Sequence, residues 1–594
     1  MIKNTPAALL FLVGIVALYH TIFFRGLVVE PLAVPPDFAK SGIDGTGLAA
    51  RLRDRLNDLV TEADEYALRA PDDIRGDWGG ESKVDVHQSD TSLDTVMRVL
   101  TELFSGETRL ASEVYYSRDG GSRQMVLSLN LNGHLIGSFK SHDPKSKDPV
   151  CRTEKMDDGI DCLLSRAALA VLRETQPYRF AIVQAMHECK GNQPCLLSGA
   201  RWMESAASTA SNDDRAWFYS KASERLIALG HHEEGMADAR RALAANAWLV
   251  PSYSDEARAA AGLGQDEVAS AALSHGIFRW HFCILCRFAP LAQPTVLPGL
   301  EVQRAELTGD YTDAIVDQQK LASSTFADRN EYGAAAIATD LARQHDGRGA
   351  LRILHSRFVG ARPWTDEDGL QQFQTIGFAA TQFFILIDRG KYREAEADLR
   401  EAAGKVSNLG ETQETFVRPW RADAYALEGA FHQAEEQIDR TPPGCYLCTR
   451  TRGRIYALER NWARAAALFA KAVEQAPSPP FAYADWGEML LRRADFDGAI
   501  AKFEIANEKG PHFADPLEMW GEALIAKNRS DLALPKFEAA NKYAPNWGRL
   551  HLKWGEALLW SGNKDVARKQ FALASRLDLT PAETLELETV QGRS

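Results

Sequence analysis

Cysteine is scarce in this chain, with 8 among 594 residues, too few for a scaffold built on disulfides. Excess positive charge is missing as well: 81 acidic side chains stand against 68 basic ones, a formal net charge of −13. Nucleic-acid affinity comes from Lys and Arg at phosphates, so the bulk field excludes a whole-chain nucleic-acid binder. Long apolar runs are absent beyond the amino terminus, and a mean hydropathy of −0.28 excludes a polytopic membrane protein. The motifs GxxxxGKS/T, GxGxxG after a strand, HExxH and GxSxG are not found. Phosphate-loop, dinucleotide, zinc-peptidase and serine-hydrolase chemistry therefore lack their residues. What remains is ordinary globular composition, 45% hydrophobic and 25% charged, which excludes a disordered or collagen-like chain. The length corresponds to about three or four domains of roughly 150 residues, or to one long array.

The single apolar run is Ala7–Phe24, 18 residues without a formal charge. As a helix rising about 1.5 Å per residue it reaches ~27 Å, enough for a thin hydrocarbon core. A cleaved signal peptide is the rival, but Leu18-Tyr19-His20 and Phe23-Phe24-Arg25 are poor cleavage contexts. Residues 1–6 then form a flank and 7–24 an uncleaved transmembrane anchor, through which the membrane itself is a partner. Lys3 and the α-amine on one side against Arg25 on the other favour an amino terminus inside. The expectation is a single-pass inner-membrane protein with its carboxyl-terminal bulk in the periplasm.

The cysteines fall into four close pairs, Cys151/Cys162, Cys189/Cys195, Cys283/Cys286 and Cys445/Cys448. Short-range pairs suit local disulfides in an oxidising compartment. Zinc is an alternative, from two CxxC units or from Cys283/Cys286 with His275 and His281. A redox pair would need thioredoxin-like surroundings, which HFCILCR and GCYLCTR do not show. Thiols buried on helix faces are the remaining reading. His187-Glu188 beside Cys189 has no partner set, and the Gly-Gly steps at 79–80 and 120–121 are turn signals.

Residues 28–175 predict a small α/β domain. VVEPLAVPP reads as a strand ended by two prolines, and Gly47–Tyr66 as an amphipathic helix with Leu48, Leu52, Leu56 and Leu59 on one face. KVDVH is a further strand, Ser92–Phe104 a helix, and the segment around Gly120-Gly121 a hairpin; the strand HLIGSFKS and a helix over Asp158–Leu172 complete the unit. The opening VVEPLAVPPDFAKSGIDGTGLAARLRDRL (residues 28–56) resembles the amino-terminal module of TolB-like and curli-secretion-type envelope proteins. That resemblance implies a cell-envelope setting and transfers no functional residue.

A shift of 34 residues superimposes the carboxyl-terminal part on itself. Trp486, Trp520 and Trp554 share a column, as do Gly487, Gly521 and Gly555, and Ala499, Ala533 and Ala567. Phe503, Phe537 and Phe571 coincide too, and Pro511 and Pro545 close two of the units. A 34-residue period with these columns resembles tetratricopeptide (TPR) repeats. Small residues belong where the two helices of a hairpin meet, Phe fills the space between hairpins, and Pro ends the second helix. Regular repeats are read at 446–479, 480–513, 514–547 and 548–581, followed by a tail, 582–594. Upstream, the G-x-Φ-x-x-A signature at Gly309, Gly390 and Gly429 marks looser repeats across 176–445, with a break at Pro290–Gly299. The fold class expected is mainly α: a TPR-type α-solenoid after a transmembrane helix and a small α/β domain.

The resemblance implies a concave groove for a protein or peptide partner. In that frame Glu488, Glu522 and Glu556 occupy one inner position, with Arg454 a unit earlier. They would form an acidic ladder for a basic segment, or serve solubility and helix pairing. The Lys/Asn clamp of chaperone-binding TPRs does not appear, because the corresponding positions are Arg450, Ala484, Glu518 and Leu552. The tryptophans read as core. No catalytic residue, cofactor, metal or nucleic-acid partner is expected. The function expected is a membrane-anchored interaction scaffold of a bacterial-type cell envelope. The alternatives are an envelope redox or metal-dependent protein using the CxxC pairs, and a cytoplasm-facing adaptor.

Overall fold

The computed structural model describes residues 27–40, 44–67, 74–76, 108–119, 122–141, 156–176, 179–180, 183, 193–208, 210, 212–282, 296–323, 329–358, 370–406 and 409–592. The chain divides into two units, Met1–His187 and Glu188–Ser594.

In the first unit, alternating apolar residues build a five-stranded sheet: β1 (Leu27–Val29), β2 (Ile74–Gly76), β3 (Thr108–Asp119), β4 (Ser122–Leu131) and β5 (His134–Lys140), in the order β2-β1-β3-β4-β5. Strand β1 runs parallel to both neighbours, while β3–β4 and β4–β5 are antiparallel hairpins. Asp119 pairs with Ser122 at the closed end of the β3–β4 hairpin. Asn132 and Gly133 both take positive φ (51° and 80°) between β4 and β5, as a two-residue primed turn requires. Helices α1 (Pro36–Lys40), α2 (Gly45–Ala67) and α3 (Met156–Thr175) accompany the sheet among the described residues. Leu48, Leu52, Leu56 and Leu59 of α2 are buried together with Ile160, Leu163 and Val171 of α3. The proposed strand KVDVH and helix Ser92–Phe104 lie outside the described residues.

The run Ala7–Phe24 also lies outside them. Among the described residues no helix is long and apolar enough to cross a membrane. The single-pass, inner-membrane placement, and the periplasmic side assigned with it, is therefore corrected and dropped.

The second unit opens with α4 (Gln193–Ala207) and continues as ten antiparallel helix pairs among the described residues. The first five are α5 (Asn212–Ala228) with α6 (His232–Ala245), α7 (Pro251–Gly262) with α8 (Asp266–Phe282), α9 (Val296–Thr308) with α10 (Tyr311–Ser323), α11 (Arg329–Arg343) with α12 (Gly347–Phe358), and α13 (Leu370–Asp388) with α14 (Tyr392–Lys405). A π-helical turn, Gln413–Val417, leads into α15 (Arg418–Leu427) with α16 (Phe431–Ile438). Then follow α17 (Tyr446–Leu458) with α18 (Trp462–Gln475), α19 (Phe481–Arg492) with α20 (Phe496–Lys509), α21 (Ala514–Ala526) with α22 (Ser530–Tyr543), and α23 (Gly548–Trp560) with α24 (Lys564–Ala574). Helix α25 (Pro581–Gln591) ends the array, started by a capping box in which Thr580 and Glu583 satisfy each other's backbone N–H. The expected break at Pro290–Gly299 is corrected in part: Pro298 and Gly299 lie in the first turn of α9, where a missing N–H costs no helical bond.

Each pair turns on one left-handed residue: Gly230, Gly264, Gly309, His345, Gly390, Gly429, Arg460, Ala494, Asn528 and Gly562, with φ between 57° and 86°. In the regular repeats the glycine column exists for the phenylalanine column. A Cβ on Gly487, Gly521 or Gly555 would lie 2.4, 2.6 or 2.4 Å from the ring of Phe503, Phe537 or Phe571. Each ring thus packs on its own hairpin's glycine as well as on the next hairpin.

The array coils back onto itself. Turns of the early hairpins dock on loops of later ones, at sequence separations from 170 to 211 residues. Gly230 O accepts from the backbone N–H of Glu411, and Gly264 O from that of Tyr446. Glu267 accepts from the Ser478 hydroxyl at 2.7 Å, Asp346 from the Asn546 amide at 2.9 Å, and Asp578 pairs with Arg389 at 3.2 Å. Clearance at these contacts is minimal: a Cβ on Gly230 would sit 2.5 Å from Leu409 O.

Candidate functional site

The first helices of the hairpins face inward and, where successive coils touch, line a cavity of about 730 Å3 that is partly open to solvent. That volume suits a small ligand or a short peptide segment. One wall is aromatic. Trp420 of α15 is stacked on Phe383 at 5.9 Å between ring centroids, with Phe384 edge-on at 5.8 Å and Phe416 at 5.6 Å. Opposite charges stud the rest of the lining.

Five arginines line the cavity: Arg258, Arg343, Arg450, Arg454 and Arg549. Arg258 holds Asp255 at 2.6 Å, Arg450 holds Asp485 at 2.8 Å, and Arg454 bridges Asp423 at 3.0 Å and Asp485 at 3.7 Å. Arg549 meets Glu518 at 3.3 Å, Glu583 at 3.5 Å and Glu522. Arg343 is different: its guanidinium lies over the rings of Tyr311 (5.8 Å) and Phe384 (5.2 Å). His345 lies between Asp388 (2.9 Å) and Asp515 (3.3 Å) and stacks on Trp547 at 4.0 Å. Burial opposes its charge, but the two carboxylates outweigh burial and raise its pKa to about 10. His232 goes the other way, to about 4, through burial and the nearby Arg258. Burial lifts Asp266 to about 6 against the pull of Arg450, and raises Glu306 against Arg343.

Of the residues expected in the groove, Glu488 and Arg454 line the cavity, whereas Glu522 and Glu556 do not. The three glutamates are not an unpaired acidic ladder. Glu488 is held by Arg492 at 2.8 Å, Glu522 by Arg549 reaching back from the next hairpin, and Glu556 by Lys553 at 3.3 Å. Burial works against ionisation of Glu488, yet Arg492, Arg454 and Arg549 bring its pKa down to about 2. Trp486, Trp520 and Trp554 are half-buried in the repeat packing and do not line the cavity. Lys502 lies 3.6 Å above Trp486, and Lys536 lies 3.2 Å above Trp520. Ala499, Ala533 and Ala567 are fully buried.

Cys445 and Cys448 form a disulfide and are fully buried. The bridge sits at the start of α17, whose Leu447, Arg450, Thr451 and Arg454 line the cavity. While bridged, these sulfurs cannot serve as zinc ligands. Cys162 is buried and disulfide-bonded, Cys195 falls in α4, and Cys151, Cys189, Cys283 and Cys286 lie outside the described residues. Elsewhere, Asp310, Asp313 and His512 bring ligand atoms within 4.8 Å of one another. There His512 Nδ1 already pairs with Asp310 at 2.5 Å and joins two coils of the array.

Sequence reasoning missed Arg343, His345 and Trp420, because the left-handed residues around them are spaced at 36, 45, 39 and 31 rather than 34. The left-handed residue is a partial guide to the inner face: six positions before it, Arg258, Gln303, Phe384, Asp423, Arg454 and Glu488 line the cavity in six hairpins, whereas Glu224, Thr339, Glu522 and Glu556 in the other four do not.

No protein-family model matches the chain, and no curated protein does either, so the resemblance of residues 28–56 to envelope modules gains no support. Solved structures do match. Yeast Tom70 is 15% identical, covering 72% of this chain and 97% of its own, with a TM-score of 0.31. The APC/C hetero-tetramer Cut9–Hcn1 is 13% identical over 73% of this chain and 88% of its own, at 0.35. YrrB, a TPR protein with an unusual peptide-binding site, is 15% identical over 32% of this chain and 97% of its own, at 0.23. What the chain is similar to is a set of helical-repeat proteins, and its own ten hairpins carry the reading of its second unit as a TPR-type solenoid.

Proposed function

We propose that the chain is a binding scaffold rather than an enzyme, and that its helical unit takes an extended segment of a partner protein into the coiled cavity. The observation that carries this is the inward face itself. An aromatic wall, built around Trp420, stands beside arginines and carboxylates held by ion pairs and by contacts between coils. Apolar anchors with a few fixed polar groups are what a peptide site needs, and groups fixed before binding lose little entropy on binding. The paired glutamates shift this reading away from a purely basic ligand.

The test is selection of random-sequence peptides on the full chain. Selected peptides should lose at least about tenfold in affinity for Trp420→Ala or Arg454→Met, as expected for a buried aromatic or charged anchor. They should bind Trp560→Ala unchanged, since Trp560 is exposed outside the cavity. Peptides indifferent to both cavity substitutions would place binding elsewhere and overturn the proposal.

A further inference from the structure

Four of the five cavity arginines hold a carboxylate of their own chain; among the described residues Arg343 holds none. It is the last residue of α11, with its guanidinium against the faces of Tyr311 and Phe384. Among the described residues its side chain has ring contacts and longer-range charge interactions, but no ion pair or hydrogen bond. Ring faces accept none of its N–H donors in a normal hydrogen bond, so among the described residues those donors stand unserved. A planar fork of donors at the wall of a cavity fits a planar acceptor with two oxygens.

The surroundings select the charge of that acceptor. Arg450 adds positive potential beside Arg343. The nearest carboxyls, Glu306 and Asp340, are pushed by burial toward their neutral forms and share the Gln318 amide, at 3.3 and 2.8 Å. Farther along the wall Asp388 and Asp515 are paired with His345, and Asp423 and Asp485 with Arg454 and Arg450, so among the described residues that stretch supplies no second free cation to match the extra charge of a dianion such as phosphate. A singly charged carboxylate matches the one unpaired guanidinium. We infer that Arg343 anchors a carboxylate of the bound peptide, from its chain end or from an Asp or Glu side chain. The inference rests on the peptide-binding reading above. It differs from the Lys/Asn clamp absent from the regular repeats, because the anchor stands in the fourth hairpin and is positioned by aromatic faces.

The experiment uses peptides selected on the full chain and resynthesised in four forms: unchanged, amidated at the carboxyl end, with Asp and Glu replaced by Asn and Gln, and with both changes. With the wild-type chain, the doubly changed peptide should bind at least about tenfold more weakly than the unchanged one. The single changes show whether the chain end or a side chain supplies the carboxylate. In R343M this difference should shrink below about twofold. In R343K it should be intermediate, because the charge stays and the fork is lost. The peptide arms need no protein variant, so a folding defect in R343M cannot hide the result. A difference that survives in R343M, or four forms that bind the wild type equally, overturns the anchor and leaves the peptide site standing. If no peptide is selected at all, both readings fall.

Discussion

The early hairpins, α5 to α14, and the late ones, α15 to α24, build one architecture by different means. Measured between left-handed residues, the spacings are 34, 45, 36, 45 and 39 early, then 31, 34, 34 and 34. Seven residues before the left-handed turn and nine after it lie the two positions where a hairpin's helices meet. Late hairpins fill them with Gly487 and Phe503, or Gly521 and Phe537. Early hairpins use Ala257 with Leu273, Ala338 with Leu354, and in one case Val302 with the buried polar Gln318. Ala257 and Ala338 keep a small side chain against a large one, as the late hairpins do, whereas Ser223 meets Ala239 and Phe383 meets Leu399 at the same two positions. The pair itself varies, and so does the length of the loops.

The sharpest way to break this equivalence is to remove the large partner from each half. Phe537→Ala should cost about 3–5 kcal/mol in denaturant unfolding and Leu354→Ala about 2–5. A Leu354→Ala cost near zero would show that the early pairs do not do the work of the late ones. Next in size is the junction at His345, which ties an early hairpin to Asp515 of a late one. Its pKa is raised from an ordinary 6.5 to about 10. The stability it contributes is therefore complete below about 6.5 and lost as pH rises through about 10. Wild-type stability should decline by roughly 2–4 kcal/mol over that window, and His345→Gln should flatten the decline; an unaltered slope in the variant would rule the junction out as its source.

Smaller effects separate backbone conformation from docking. Gly230 and Gly562 have similar φ, 81° and 86°, yet only Gly230 is pressed against another coil. Gly562→Ala should cost about 1 kcal/mol for the left-handed backbone alone, and Gly230→Ala about 2–3. Equal costs in thermal melts would mean that the contact between coils carries no energy. Smallest of all, Ala494→Gly should stabilise by about 1 kcal/mol, because Ala494 is held at φ 63°; a lower melting temperature would contradict that.

The late repeats were legible because Gly and Phe are rare enough partners to stand out when they recur at a fixed interval. The sheet of the first unit was legible in its Gly120-Gly121 hairpin and in the leucine face of α2. The Asn132-Gly133 turn went unread, although that dipeptide is a strong hairpin signal. Early hairpins hid because alanine and leucine are common everywhere and the loops shift the frame. The site hid for a further reason. Arg343 and His345 lie in the irregular half, and their meeting with Arg450, Asp515 and Trp547 depends on coiling that no local pattern encodes, while Trp420 lies in α15, before the interval of 34 sets in. The glutamate column was visible, but its cations come from Arg492 four residues on and Arg549 in the next hairpin, so its charge could not be judged from the column alone.

The contacts between coils change how this solenoid comes apart. A linear repeat array behaves like a row of dominoes, each unit coupled to its two neighbours and free to fray from either end. Here Gly230 with Glu411, Gly264 with Tyr446, Glu267 with Ser478 and Arg389 with Asp578 add a second direction of coupling, across about two hundred positions of chain. Loss of a terminal hairpin then exposes the turns of a hairpin half the array away. The unit should melt as one cooperative block and fold slowly for a helical protein, since its two halves must both exist before either is complete.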